Sequence, residues 1–229
     1  MITTIVGQVP AGLADAVSWA SRAIAVLCVI PLCLSTLRGR TDPPPATWGV
    51  WAAAGVVGSA GMAIAGGDSA AWGLKLALSV GPLAVAVCAR RAGVPWAVGR
   101  ADKVSLALAG VGLVFLLFGE GLTAMWLSIA VNVIGTLPTL LHAWRAPFRA
   151  RYFPFGCANV SVVGVLALAV PVPWTVASVA YPLYLWLDTA LIMGTILVAR
   201  YRVYAAARYR RDAAARGLNV ARQHGEPLT

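Results

Sequence analysis

Asp188 has the clearest claim to chemistry in this sequence. It interrupts an apolar run and lies twelve residues before Arg200, about 18 Å along a helix. Half of the ~30 Å hydrocarbon core of a bilayer is about 15 Å, so the carboxyl would lie near a membrane midplane. An ionisable group at that depth costs ~2.5–3.5 kcal/mol on insertion scales and points to a function. Ser178, Tyr181 and Tyr184 precede it at steps of three and four, which places all four on one helical stripe facing the protein interior. Two readings fit the stripe. One is a site for a substrate, a cation or a proton; the other is a neutral or hydrogen-bonded aspartate that ties helices together.

Asn132 is central in another apolar run, ten residues before His142. An interhelical hydrogen bond is its expected role, and a shared pocket with Asp188 is the second. Asn159 is a further mid-run amide. The candidate substrate contacts are therefore Asp188, Asn132, Tyr184, Tyr181 and Asn159. Asp15, Ser18 and Arg22 form an outer stripe, and Lys75 with Ser79 forms a similar face. Lys75 is expected to snorkel outward, with pairing to an acidic group as the alternative. Trp19, Trp48, Trp51, Trp72, Trp126 and Trp174 lie near the ends of apolar runs. They are expected to form an interfacial belt, with a stacking platform at Trp48 and Trp51 as the alternative. Gly55, Gly58 and Gly61 recur every three residues and predict a close-packing face.

The motifs of common enzymes are absent: there is no HExxH, no Walker A and no GxSxG. No second membrane carboxylate neighbours Asp188 in sequence, and His142 and His224 are isolated. Cys28, Cys33, Cys88 and Cys157 all fall in apolar runs without a CxxC spacing, so they are expected as small core residues. No catalytic residue, metal site or cofactor is expected. The net charge of +10 is scattered between apolar runs without aromatic interleaving, which argues against nucleic acid as a partner.

The elements that must position these residues follow from composition. Of the 229 residues, 60% are hydrophobic and only 11% charged, and the mean hydropathy is +0.80. A soluble domain carries roughly 25% charged residues. Apolar runs at about 14–37, 46–66, 69–89, 101–118, 121–142, 153–171 and 174–199 are each near the ~20 residues a spanning helix needs. Helix is required because backbone polar groups in lipid must pair within the segment. Sixteen of the eighteen basic residues fall in the first, third and fifth connections and the tail. The even-numbered connections hold Asp68 and Glu120 instead. The asymmetry predicts seven spans, an outside N-terminus and a cytoplasmic C-terminus. No cleavable signal peptide is expected. Residues 200–222 should continue the last span as a basic helix resting on anionic lipid headgroups, or docking a cytoplasmic partner.

An internal repeat organises the spans. A shift of 107 residues superposes Pro31 on Pro138, Leu34 on Leu141, Leu37 on Trp144, Arg38 on Arg145 and Trp48 on Phe155. Each proline frees a carbonyl and can bend its helix, which makes Pro31 and Pro138 candidate hinges. The plan is then two parallel three-helix bundles, 14–89 and 121–199, joined by a connector helix at 101–118, with a basic tail at 200–229. The connector restores the direction of the second copy.

This layout resembles the SWEET/PQ-loop superfamily, and more closely a group of bacterial seven-span proteins with the same plan. The stretches that carry the likeness are Ala46-Thr-Trp-Gly-Val-Trp51, Gly81-Pro-Leu83, Ala101-Asp-Lys103, Asn132-Val-Ile-Gly-Thr-Leu-Pro-Thr139, His142-Ala-Trp-Arg145 and Ala180-Tyr-Pro-Leu-Tyr184. The Pro-Gln pair is missing, since Pro31 precedes Leu32 and Pro138 precedes Thr139. Sugar-type members carry an asparagine on the third helix of each unit, where this chain has Asp188 in one and only Ser79 and Gly81 in the other. The resemblance implies a transporter layout and proline hinging rather than sugar specificity. The expected function is a carrier or facilitator for a small polar solute, working by alternating access between the bundles. If Asp188 titrates, proton coupling follows. The alternative is a non-transporting scaffold, receptor or partner subunit, with a homo-oligomer or a tail-binding protein as its partner. The expected location is the cell membrane, as a multi-pass protein of a bacterial cytoplasmic membrane.

Overall fold

A computed structural model describes residues 11–148, 150, 153–169 and 175–223, with side chains described for 12–148, 150, 153–166 and 175–212. Arg149, Arg151, Trp174 and the span edges within 170–174 lie outside the described residues, as do the side chains of Arg216 and Arg222. Among the described residues all regular structure is helical: α1 (Ala11–Leu27), α2 (Ile30–Leu37), α3 (Pro45–Ile64), α4 (Ser69–Arg91), α5 (Arg100–Leu117), α6 (Gly121–Arg145), α7 (Phe153–Ala169) and α8 (Val176–Gln223). Five stretches are long and apolar enough to cross a membrane: Gly12–Leu37, Pro45–Ile64, Ser69–Arg91, Gly121–Arg145 and Val176–Asp212. The α7 stretch Phe153–Leu166 is apolar but shorter. Large apolar side chains such as Leu83, Leu117, Phe118, Leu137 and Leu191 face outward. That surface fits lipid rather than water.

Local chemistry sets the helix ends. Asp68 caps α4 by accepting from Ala70 N at 2.9 Å. Gly39, Gly66, Gly93 and Gly119 follow α2, α3, α4 and α5 with φ between 67° and 83°. After each, a backbone N–H reaches back five residues, as in Gly67 N to Met62 O at 2.8 Å and Glu120 N to Phe115 O at 3.0 Å. This closure needs the left-handed residue that glycine supplies without strain. The first apolar run is two helices because Pro31 cannot donate to the Leu27 carbonyl, and the chain breaks between Leu27 and Ile30. Pro138 lies inside an unbroken α6. Pro82 and Pro182 lie likewise inside α4 and α8, outside the proline pairing of the repeat.

Helix bounds follow the 107-residue shift. Ser69, the first residue of α4, shifts to Val176, the first of α8; the bounds of α3 shift to 152–171, against Phe153–Ala169 for α7. Even the preceding cap residues correspond, Asp68 to Thr175. Thr175 Oγ1 accepts from Ser178 N at 3.1 Å. Packing follows the same plan. In one unit α4 packs against both α1 and α3; in the other α8 packs against both α6 and α7. Across the units α3 packs on α6 and α1 on α7, while α4 and α8 approach only sparsely. The central space left between α4 and α8 is where a site can form.

The glycine stripe of α3 lets neighbours approach closely, as its spacing predicts. A Cβ at Gly55 would collide with the Ser79 side chain, at Gly58 with Ser128 and Tyr181, and at Gly61 with the backbone of Gly121 and Met125. Helix α5 is fixed at one end by Asp102. This buried carboxylate accepts from Thr47 Oγ1 at 2.9 Å and from Gly99 N at 2.9 Å. Asp102→Ala leaves both donors without their acceptor and should destabilise the protein by about 2–6 kcal/mol, at 1–3 kcal/mol per orphaned group. Thr47→Val should cost about half as much. Thermal melting of the purified variants in detergent checks the order.

Candidate functional site

A cavity of about 90 Å³ occupies the space between α4 and α8. Lys75, Asn132, Asp188, Trp48, Trp51 and Phe155 are among the residues that line it. Polar groups from three helices converge on one side. Asn132 Nδ2 donates to Tyr181 Oη at 2.9 Å and to Ser128 O at 2.7 Å. Ser128 Oγ donates to the Ala54 carbonyl, which can only accept. The Tyr181 hydroxyl, 2.9 Å from Ser128 Oγ, must therefore be the donor in that pair. The resulting relay, Asn132 to Tyr181 to Ser128 to Ala54, ties α6 and α8 to α3 and fixes the Asn132 amide at the cavity wall.

Asp188 is the next group along. Thr136 Oγ1 lies 2.8 Å from Asp188 Oδ1 and 2.9 Å from Asn132 O. One hydroxyl proton cannot serve both acceptors, so the bond to the carboxylate competes with a bond to the helix carbonyl. The Tyr184 hydroxyl is buried beside Asp188 and Thr136, near enough to interact with both yet outside hydrogen-bond geometry. Tyr181 and Tyr184 do not line the cavity. They stack edge to face at 5.8 Å behind its wall.

Lys75 corrects the expectation of outward snorkelling. It is only 4% exposed, and its ammonium lies 4.8 Å from the centre of the Tyr181 ring. Its Nζ lies over Gly55, where an added Cβ would come within 3.3 Å, so the glycine leaves the ammonium room. Lys75 and Asp188 lie within electrostatic range of one another. The ring face and the distant carboxylate are compensating features for a charge brought into a low-dielectric interior.

Trp48 and Trp51 correct the expectation of an interfacial belt. Each is 7% exposed, and they meet edge to face at 5.3 Å. Trp48 also meets Phe155 at 6.3 Å, so the two residues superposed by the 107-residue shift are in contact across the units. Trp48 and Phe155 line the central cavity on one side and, on the other, a second cavity of about 230 Å³ that also touches Asp42, Pro138 and His142. The pair is thus a partition between two chambers. Trp19 and Trp126, by contrast, are exposed as belt residues would be.

No family model, curated protein or solved structure matches the chain. The remaining candidates are placed elsewhere in the fold. Asn159 is turned onto α8, donating to Trp186 O at 2.9 Å and Thr189 Oγ1 at 3.2 Å, and does not line the cavity. Arg22 donates to Ser69 O at 2.8 Å and lies against Gly73. Asp15 is exposed, and Ser178 Oγ accepts from Asp68 N at 3.1 Å. That last bond, with the Gly61 to Gly121 contact, joins the two units at the end opposite the second cavity. Pro31 stands at the α1–α2 break and Pro138 borders the second cavity.

Proposed function

We propose that the protein is a seven-span membrane carrier for a small polar solute, working by alternating access between two three-helix units. One observation carries this reading: a cavity between the units is lined by both a lysine and an aspartate and is separated from a second chamber by an aromatic pair drawn from equivalent positions. In this reading α1 with α2 counts as one span, α5 is the connector, and the parallel units are α1–α4 and α6–α8. The N-terminus is outside and the C-terminus in the cytoplasm of a bacterial cell. The arginine-bearing connections then flank the chamber at Asp42 and His142, which makes it the inner vestibule. The Gly61–Gly121 and Asp68–Ser178 contacts close the outer side. Rocking at Pro31 and Pro138 would part Trp48 from Phe155 and open the site inward. The resemblance to the SWEET/PQ-loop superfamily is part of this proposal.

Uptake into proteoliposomes, screened over sugars, amino acids, nucleosides, vitamins and organic cations, tests it. A saturable flux that falls at least about tenfold in Asp188→Asn, the loss expected from one charge-assisted contact, is the expected outcome. Flux indifferent to both Asp188→Asn and Asn132→Ala would remove the site assignment.

A second reading, a non-transporting scaffold or receptor, is favoured by one feature. Helix α8 runs on to Gln223, and its second half carries Tyr201, Tyr204 and Tyr209 exposed among arginines. Such a surface suits anionic headgroups or a partner helix. Removing residues 205–229 leaves flux intact if transport is the function, and abolishes partner capture if docking is.

A further inference from the structure

Opposite charges in one membrane cavity gain most by closing on each other. Lys75 and Asp188 do not. Among the described residues the Lys75 side chain makes no hydrogen bond or ion pair, and its Nζ lies 4.8 Å from the centre of the Tyr181 ring. Asp188 is held back by Thr136 on α6. The Tyr181 ring faces the ammonium, and Thr136 donates to the carboxylate. The gap between them lies in the cavity that both line.

We infer that this cavity takes a zwitterion, an α-amino acid with a short side chain, whose carboxylate lies on Lys75 and whose ammonium lies on Asp188. The inference rests on the carrier reading above. A buried charge is strongly unfavourable unless paired, and a zwitterion pairs both charges at once while adding none of its own. A monovalent cation would leave Lys75 uncompensated, and a simple anion would leave Asp188. A sugar would offer only hydroxyls to each. Asn132 stands on the same wall as a further polar contact. Trp48, Trp51 and Phe155 supply an apolar surface for the side chain. Size limits that side chain, because about 90 Å³ is well below the ~150 Å³ of a cavity that admits a benzene ring.

The test is counterflow of radiolabelled alanine by the purified full chain in proteoliposomes, with unlabelled competitors. Glycine, alanine and serine should compete. Alanine methyl ester, which lacks the anionic group, and N-acetylalanine, which lacks the cationic one, should compete about 10- to 100-fold less well, the loss of one charge-assisted contact. Lys75→Gln should weaken alanine by a similar factor and erase its advantage over the ester. Asp188→Asn should erase its advantage over N-acetylalanine. The analogue comparison on the unaltered protein decides the matter even if a variant fails to fold. Equal competition by alanine, its ester and its N-acetyl form would overturn the inference. Flux of glucose or choline without competition by any amino acid would overturn it and leave the carrier reading standing. No flux and no solute-dependent rise in melting temperature across the whole panel would overturn both.

Discussion

Gly61→Ala should lower the stability of the protein by about 2 kcal/mol, whereas Gly110→Ala should leave it unchanged or raise it by up to ~1 kcal/mol. Both glycines are helical, so alanine brings the same backbone gain of ~1 kcal/mol to each. The difference lies in what the new methyl meets. At Gly110 it meets nothing within 4 Å. At Gly61 it would lie 2.7 Å from Gly121 O and 2.9 Å from Met125 N. These are backbone atoms of α6, which cannot turn aside, so the helices must separate. Overpacking of this kind costs up to ~3 kcal/mol. Gly121→Ala meets the reciprocal obstacle, Gly61 O at 2.6 Å, and the double variant should cost less than the sum because one separation relieves both. Denaturation of the purified variants checks this. Equal stabilities for Gly61→Ala and Gly110→Ala would mean that α3 and α6 do not touch there.

The second large effect concerns the aromatic partition. Cys28 is a native thiol that is 6% exposed and lines the central cavity. With Cys33, Cys88 and Cys157 replaced by serine, it becomes the sole reporter of access to that chamber. Trp48→Ala removes the indole that separates it from the vestibule. The rate of Cys28 modification by a small charged thiol reagent supplied from the vestibule side should rise by at least about tenfold, the ratio that ~1.4 kcal/mol of relieved occlusion gives. Phe155→Ala should act in the same direction, because the equivalent position supplies the other half of the contact at 6.3 Å. Trp126→Ala, which removes an exposed indole on α6, should leave the rate unchanged. Unaltered labelling in both partition variants would mean that the two chambers already communicate by another path.

Both effects draw on features that are visible in the sequence to different degrees. The glycine stripe is legible because its spacing alone implies close approach, whichever helices do the approaching. Asp188 is legible because a carboxylate inside an apolar run is too costly to keep without a partner or a use. Lys75 is not. It lies six residues into α4, where its stem can reach outward or inward, and what it meets on the inward side is a Tyr181 ring on another helix. Trp48 and Trp51 mislead for a similar reason: tryptophan near the end of an apolar run is the signature of an interface, and only contact with Phe155 turns the pair into an internal wall. Asn159 has the sequence profile of a site residue, yet its amide is consumed by α8. Asp102 gives no hint in the sequence that it holds Thr47, although a carboxylate three residues after Gly99 is a common start-of-helix signal.

One uninterrupted helix joins the central cavity to the far extremity of the fold. Helix α8 has 48 residues, and from Asp188 to Gln223 it is about 52 Å long. It is therefore a lever arm whose short end bears on the cavity. A tilt of ~10° at Asp188, too small to notice among packed side chains, would swing the tip through about 9 Å. Any tilt that arose at the cavity would therefore be enlarged at the tip of this helix.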